Sequence, residues 1–146
     1  MFSFFGRASH PGWPESSPTV HIPGVSTVRL RPLNSRDGKD WSRMRIRDEA
    51  VLRPVEPTVP GTWEEAHSPA AWRVNWQNLR KFAQDGIIVP LAIELDGRFI
   101  GQVTLGNIQH GAIGECWIGY WVYSRYSGRG IATVACALGV DHAFAR

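Results

Sequence analysis

The stretch from Gly114 to Phe144 constrains the fold of this chain more than any other part of it. It opens with a segment rich in aromatic and β-branched residues, which indicates a buried strand. A short turn with two glycines follows, and then about four turns of mostly small and aliphatic residues, as expected for a packed helix. A strand, a glycine turn and a helix together direct backbone N–H groups and a positive helix end at one point. The stretch therefore predicts an anion site, most often one for a phosphate.

The composition indicates one globular domain. Of the 146 residues, 43% are hydrophobic and 20% are charged, which favours a folded chain over a disordered one. No run approaches the ~20 apolar residues of a membrane span, and the first residues lack the basic start of a secretory signal, so we expect no membrane partner. Cys116 and Cys136 form no Cys-x-x-Cys pair. Their placement argues against a metal site or a disulfide and favours a reducing, cytoplasmic location.

The charge balance is mildly basic. The net charge is +3, and arginine supplies 14 of the 16 basic residues. Guanidinium groups bind carboxylates and phosphates as a planar fork. The chain has no lysine-rich tract, so the charge argues against nucleic acid as a direct partner.

We expect residues 1–22 to be a flexible leader and residues 23–146 to be the folded domain. Pro11, Pro14 and Pro18 alternate with serine and glycine in the leader, a composition that resists regular structure. The first strand is predicted over Val25–Leu33, where apolar residues alternate and a proline ends the pattern.

Two helices are predicted next. The first spans Arg36–Val51 with Ser35 as its N-cap, and the second begins at Pro69 after an N-cap at Ser68 and ends at Gly86. Large apolar residues recur along the second helix at spacings of three and four, which predicts a core-facing stripe. The stripe consists of Trp72, Trp76, Leu79, Phe82 and Ala83. On the first helix, we expect Arg43, Arg47 and Asp48 to face solvent.

The segment between these helices, Leu52–Pro69, is predicted to be a loop because its prolines block regular structure. It carries the acidic and aromatic residues Glu56, Trp63, Glu64, Glu65 and His67. Two interpretations remain open. These side chains receive a cationic substrate, or the acidic residues are merely solvated while the tryptophan covers the core.

Three antiparallel strands are predicted after the second helix. Ile87–Leu95 and Phe99–Ile108 are joined by Asp96-Gly97, a two-residue hairpin signal. The strand of the Gly114–Phe144 stretch follows them. Together they predict an antiparallel meander that leads into the glycine turn.

This element order, with Arg125-Tyr126-Ser127-Gly128-Arg129-Gly130 in the turn, resembles the GNAT superfamily of N-acetyltransferases, whose signature is Arg/Gln-x-x-Gly-x-Gly/Ala. Within the superfamily the chain is similar to the RimJ/RimL type of ribosomal-protein-alanine N-acetyltransferases. The supporting segments are 30–33, 52–57 and 117–122. The resemblance implies an α+β fold, a mixed sheet with an antiparallel meander of the family's second to fourth strands, flanked by helices. It also implies that the usual C-terminal β-α-β-β half is lacking here.

The resemblance implies acetyl-CoA as the cofactor, which agrees with the predicted anion site. The N–H groups from Tyr126 to Ile131 are expected to surround a pyrophosphate. In similar enzymes the pantetheine arm pairs with the end of the preceding strand, whose bulge is expected at Gly119 or Tyr120. The cofactor-binding residues expected on these grounds are Trp121, Val122, Tyr123, Arg125, Tyr126, Ser127, Gly128, Arg129, Gly130, Ile131 and Ala132. The alternative for the two glycines is an ordinary strand-to-helix turn.

Glu115 is the candidate general base, because it is the only carboxylate on the central strand. An acceptor amine is mostly protonated near neutral pH, so attack on a thioester requires a group that removes a proton. Family members often have a glutamate where this chain has Trp117. Glu115 lies two residues earlier, and a solvated strand-end glutamate is the alternative.

The resemblance implies an enzyme that acetylates a primary amine, foremost the N-terminal alanine or serine amine of a protein such as a ribosomal protein. Small-amine acceptors remain open. A non-catalytic acyl-CoA-binding or assembly protein also remains an open interpretation. A nucleotide-binding module is a third and weaker one. Without the C-terminal half, we expect an open sheet edge that a second copy of the chain could complete, and little transfer by these 146 residues alone.

Overall fold

The computed structural model describes residues 10, 12–24, 26–109, 115–126, 128 and 130–145. Within them lie five strands and five α-helices. In chain order these are β1 (Val20–Ile22), β2 (Ser26–Pro32), α1 (Gly38–Arg47), α2 (Glu49–Leu52), α3 (Trp63–Ala66), α4 (Pro69–Gln84), β3 (Val89–Leu95), β4 (Arg98–Gln109), β5 (Glu115–Val122) and α5 (Ile131–Ala145). Short 3-10 turns occupy Ser35–Asp37, Arg53–Val55 and Ser124–Tyr126.

The strands form one sheet in the order β1-β2-β3-β4-β5. Every neighbouring pair is antiparallel, so the predicted α+β fold and meander are confirmed. The sheet within the described residues contains no parallel pair, unlike the mixed sheet that the resemblance implies. A parallel neighbour of β5 would need a crossover through α5, which is the last described element.

The β3–β4 hairpin turns at the two residues that the sequence indicated. Asp96 has φ 49° and Gly97 has φ 81°, the positive values that a two-residue turn between twisted strands requires. The Asp96 carboxylate also accepts hydrogen bonds from the Thr27 backbone N–H at 3.1 Å and hydroxyl at 3.0 Å. The turn is thereby tied to β2.

Each face of the sheet is covered by a separate apolar layer. On one face α5 packs against β2, β4 and β5, and its buried side chains are Ile131, Ala135 and Leu138. On the other face α1 and α4 lie over an aromatic cluster, whose buried tryptophans are Trp41, Trp63, Trp72 and Trp121. The glycine-turn helix and the two early helices therefore lie on opposite sides of β4 and β5.

The described part of the leader predicted over residues 1–22 contains one element of regular structure, at its end. Val20–Ile22 pairs with β2 as an edge strand. Ser17 also bonds to Leu30 twice: its N–H donates to the Leu30 carbonyl, and its hydroxyl accepts from the Leu30 N–H, both at 2.8 Å. Proline opposes helices and central strands but is compatible with an extended edge. Residues 1–9 and 11 lie outside the described residues.

The first predicted helix is divided. Asn34, not Ser35, caps a 3-10 turn through a capping box with Asp37, and α1 ends at Arg47 before α2 resumes at Glu49. The predicted loop also contains α3, because Thr62 and Glu65 form a second capping box. The Thr-x-x-Glu spacing is a signal for the start of a helix, and the prediction of a loop gave more weight to the prolines than to this signal.

The second predicted helix is confirmed as α4. The Ser68 hydroxyl accepts from the Ala71 N–H at 3.1 Å, and Gly86 takes φ 74° just beyond the helix end. Trp72 and Ala83 are buried, but Phe82 is 45% exposed, so the core-facing stripe is narrower than predicted. Among the described helices none has the length and hydropathy needed to cross a bilayer.

Candidate functional site

A cleft of about 600 Å³ opens on the aromatic face of the sheet. Strands β4 and β5 form its floor, and α1, α4 and the segment around α3 form its walls. Its lining residues are Trp41, Arg45, Glu56, Pro57, Ala66, His67, Asn75, Leu79, Gln102, Thr104, Trp117, Gly119, Tyr120 and Trp121. A cleft of this size, lined mainly by apolar and aromatic groups with a few polar ones, is typical of a small-ligand or peptide-end site.

One wall of the cleft holds a buried arginine among indole rings. The Arg45 guanidinium carbon lies 5.1 Å from the Trp121 ring centroid and 5.6 and 5.9 Å from those of Trp63 and Trp41. Such distances give favourable cation–π contacts. Arg45 also forms an ion pair with Glu56. The aromatic cluster therefore fixes the position of a charge pair at the cleft wall.

His67 lies beside this pair and is buried. Its Nδ1 donates to the Trp63 carbonyl oxygen at 2.7 Å, because a carbonyl can only accept. Burial lowers the pKa of His67, and the charge of Arg45 lowers it further, against the opposing effect of the Trp63 hydrogen bond. The imidazole is therefore neutral at pH 7, with Nε2 as an acceptor.

The floor of the cleft carries a chain of side-chain hydrogen bonds. Trp121 Nε1 donates to Gln102 Oε1 at 3.3 Å, and Gln102 Nε2 donates to Thr104 Oγ1 at 3.2 Å. Residues two apart on a strand share a face, so β4 presents both polar groups to the cleft. This network leaves the hydroxyl hydrogen of Thr104 free to turn toward a bound molecule.

The glycine turn is the second feature of the site. Gly128 and Gly130 have φ 75° and 76°, a backbone conformation that side chains rarely adopt. The helix α5 begins directly after them at Ile131, and the Val134 N–H donates to the Gly130 carbonyl at 3.1 Å. Ser127 and Arg129 lie outside the described residues. The anion site at this turn remains a prediction.

The predicted cofactor-binding side chains lie in different environments. Trp121 and Tyr123 are buried on the aromatic face, and Ile131 is buried on the face that α5 covers. The main-chain groups of Tyr123 are also engaged, since its N–H donates to the Ile100 carbonyl and its own carbonyl accepts from the Tyr126 N–H. Arg125 is exposed. Val122, Tyr126 and Ala132 are partly buried. Their contact with a cofactor remains a prediction.

One of the three charged residues expected to face solvent, Asp48 just after the end of α1, is buried instead. Asp48 is 3% exposed, and its carboxylate accepts from the Ser124 N–H and hydroxyl at the start of the turn. Arg47 donates to the Tyr123 hydroxyl at 3.5 Å, a contact that raises the pKa of Arg47. Arg43 and Arg47 are both exposed, as predicted. No sequence pattern indicates that the α1–α2 junction meets the end of β5.

Strand β5 pairs with β4 on one edge, and no described strand pairs with its other edge. The predicted bulge at Gly119 or Tyr120 is wrong, because these residues pair regularly with Thr104 and Val103. The irregularity lies on the β4 side, between Gly106 and Gln109. The Trp117 ring lies directly over Gly106, where an added Cβ would come within 2.1 Å of it. The contact between the Trp117 ring and β4 therefore requires a glycine at position 106, next to the irregular part of β4.

Glu115, the predicted base, begins β5 opposite Gln109. Its side chain lies outside the described residues, so its role remains a prediction. Arg45, Asn75, Gln102 and Thr104 line the cleft and were not predicted. For the β4 pair a signal existed, since two polar residues at alternate positions interrupt an otherwise apolar strand.

Cysteine and metal chemistry find no support in the described part of the chain. Burial raises the pKa of the Cys136 thiol, which makes it a poor nucleophile, and the residue is unpaired by disulfide. No group of three or more potential metal ligands occurs among the described residues.

Comparison with known proteins gives consistent matches. A family model described as "Acetyltransferase (GNAT) domain" matches residues 27–146. RimJ of Mycobacterium smegmatis, solved in complex with CoA-disulfide, has 45% identity and a TM-score of 0.88 over 92% of this chain and 64% of that chain. The ribosomal-protein-S5-alanine acetyltransferase of Vibrio fischeri, at 20% identity and TM-score 0.69, shares the fold over 88% of this chain and 68% of its own.

Sequence comparison adds a Bacillus subtilis protein named "Putative ribosomal N-acetyltransferase YdaF". It is 26% identical over 122 residues, which cover 80% of this chain and 62% of that protein. A second B. subtilis protein, "Probable N-acetyltransferase YjcK", is 45% identical over 49 residues, or 34% of this chain and 27% of its own. The chain thus spans less than two thirds of the length of these relatives and of RimJ.

Proposed function

The chain belongs to the acetyltransferase (GNAT) domain family, and we propose that it forms the cofactor turn and acceptor cleft of an acetyl-CoA-dependent N-acetyltransferase. The observation that carries the proposal is the turn at 124–130. In this turn, two glycines with positive φ connect the end of β5 to the N-terminus of α5. Backbone N–H groups at a helix N-terminus bind phosphate oxygens, and coenzyme A carries a pyrophosphate. The M. smegmatis RimJ structure is described as a complex with CoA-disulfide.

The residues around the turn fit this group. Arg125 is exposed at the turn, where its guanidinium can reach a phosphate. The edge of β5 that no described strand pairs offers main-chain groups for an extended arm, as an added strand would use them. We propose that the arm lies along 121–123, where Tyr123 already uses its own N–H and carbonyl within the protein. When bound, acetyl-CoA supplies the thioester whose acetyl group is transferred. The protein's own tasks are to hold an amine at the cleft and to take up its proton.

The proposed acceptor is the N-terminal amine of a protein, with alanine or serine as the first residue and a ribosomal protein as the partner. The names of the V. fischeri and B. subtilis relatives refer to ribosomal proteins, which supports this class. The cleft on the aromatic face is large enough for a chain end. Glu115 is the proposed base, from its place at the start of β5.

A non-catalytic acyl-CoA-binding or assembly role is the second candidate, because the edge of β5 that no described strand pairs could accept a strand from another chain. The remaining family half or a second copy of this chain would complete the sheet. Calorimetric titration with CoA, followed by an acetyl-transfer assay on peptides that begin with alanine or serine, separates the two functions. Binding with transfer supports the enzyme, binding without transfer supports the second candidate, and the absence of binding contradicts both.

A further inference from the structure

The charged residues lining the cleft on the aromatic face differ sharply in their accessibility. Within the described lining only Arg45 and Glu56 carry charge at neutral pH. The Arg45 side chain is 7% exposed, whereas that of Glu56 is 27% exposed. A ligand that enters the cleft therefore meets the carboxylate first, with the guanidinium behind it.

Glu56 retains binding capacity after it has paired with Arg45. The arginine NH2 contacts Oε1, and no hydrogen bond from a described residue reaches Oε2. A carboxylate offers about four acceptor positions on its two oxygens. One oxygen is thus fixed in place, and the other can accept from a donor in the cleft.

The burial of Arg45 is not explained by stability alone. Its Nε is buried without a hydrogen-bond partner among the described residues. Buried ion pairs are often no more stable than apolar residues of similar volume, so such a pair is weak evidence for a stabilising role. What the three indole rings and the ion pair do achieve is to hold the Glu56 carboxylate at one position on the cleft wall.

We infer that Glu56 binds the acceptor amine as its ammonium ion, and that Arg45 is the positioning residue for this carboxylate. The inference rests on the proposed function and names the acceptor class of the same cleft: a cationic amine, as at a free protein N-terminus. An α-amino group has a pKa of about 7.7–8.0, so it is mostly charged at pH 7. The proton that must leave before attack is removed by another group.

The test compares two ligands in wild-type protein, with and without CoA. One is a short uncharged-side-chain peptide that begins with alanine, and the other is the same peptide with a propionyl group in place of the alanyl residue, which deletes only the amine. A charge-assisted hydrogen bond should make the first bind about tenfold to a hundredfold more tightly. Equal affinity for the two ligands, or no binding of either, would overturn the inference without any mutation.

Variants then locate the effect. Glu56→Gln should abolish the preference for the amine, Glu56→Asp should keep part of it, and Arg45→Lys should reduce it. Glu64→Gln, on the exposed face of α3, is the matched control and should keep the full preference. A Glu56→Gln protein that is folded by circular dichroism and still prefers the amine would contradict the inference. CoA affinity should be unchanged in all four variants, and a wild type that binds no CoA argues against the proposed cofactor, not against Glu56.

Discussion

Asp48, at the junction of α1 and α2, accepts two hydrogen bonds from Ser124, one from its backbone N–H at 2.8 Å and one from its hydroxyl at 2.6 Å. Ser124 opens the turn that leads to α5. The two residues are 76 positions apart, so a buried carboxylate on one face of the sheet anchors the segment that begins the proposed cofactor turn. The position of the turn therefore depends on the helices of the aromatic face.

The first prediction concerns this anchor. Asp48→Ala removes the acceptor for two donors, and the loss of each hydrogen bond to a charged group costs about 1.5–3 kcal/mol. We expect a lower free energy of unfolding in urea and weaker CoA binding by calorimetry. Asp48→Asn keeps one acceptor oxygen, so its stability and CoA affinity should lie between those of the wild type and of Asp48→Ala. Asp40→Ala, at an exposed position of α1, is the control and should change neither quantity. Unchanged CoA affinity in Asp48→Ala would show that the turn holds its shape without the anchor.

The second prediction concerns the glycines of the turn. Gly128→Ala and Gly130→Ala each place an alanine at a position with positive φ, which a residue with a Cβ rarely adopts. Neither added Cβ would meet an atom within 4 Å, so the strain is in the backbone alone. The backbone should shift, which costs about 1 kcal/mol of stability and displaces N–H groups from the anion. Gly24→Ala is the matched control, because Gly24 has φ 76° and equally open surroundings away from the turn. All three should lose similar stability, but only the first two should lose CoA affinity. Equal CoA binding by all three would argue that the turn does not hold the cofactor.

The sequence predicted what depends on local pattern. The β3–β4 hairpin at Asp96-Gly97, the Ser68 cap and the glycine turn each have a signal within a few residues, and each is present in the structure. The cleft could not be predicted in this way. Arg45, Glu56 and Gln102 come together only when α1, the following segment and β4 assemble, and no spacing in the sequence encodes that contact.

Asp48 shows the same limit in a different form. Its neighbours on the predicted helix are charged, and the helical periodicity therefore places Asp48 on the solvent-facing side. The contact with Ser124 is decided by where β5 ends relative to α1, which is a property of the sheet register. The edge strand Val20–Ile22 was not predicted because the prolines on both sides, Pro18 and Pro23, outweigh its two β-branched residues, and the pairing with β2 cannot be read from a local pattern.

The third prediction contrasts two glycines on the paired strands below the cleft. A Cβ on Gly101 would come within 2.2 Å of the Trp121 carbonyl oxygen, so Gly101→Ala must separate the β4 and β5 backbones. On Gly119 the nearest atom is in the Trp117 ring at 3.1 Å, and that exposed ring can move. We expect Gly101→Ala to destabilise the fold by more than about 2 kcal/mol in urea denaturation. Gly119→Ala should cost less than about 1 kcal/mol and should affect peptide binding in the cleft. Similar losses from both variants would contradict this register.

The fourth prediction is a pH dependence of stability that originates at His67. Burial is the largest cause that lowers the pKa of His67 below its usual 6.5 in the folded chain. The unfolded chain then binds more protons in the window between the lowered pKa and 6.5. The stabilisation by neutral His67 is therefore fully present above that window and is lost as the pH falls through it.

His67→Asn isolates this contribution from those of the other histidines. Its amide can still donate to the Trp63 carbonyl, but it does not titrate. Urea denaturation between pH 5 and pH 8 should show wild-type stability falling more steeply toward acid than that of the variant, with the difference between the two curves constant above neutrality. Parallel curves across the whole range would mean that His67 takes up a proton as readily in the folded chain as in the unfolded one, which its burial between Trp41 and Trp63 argues against.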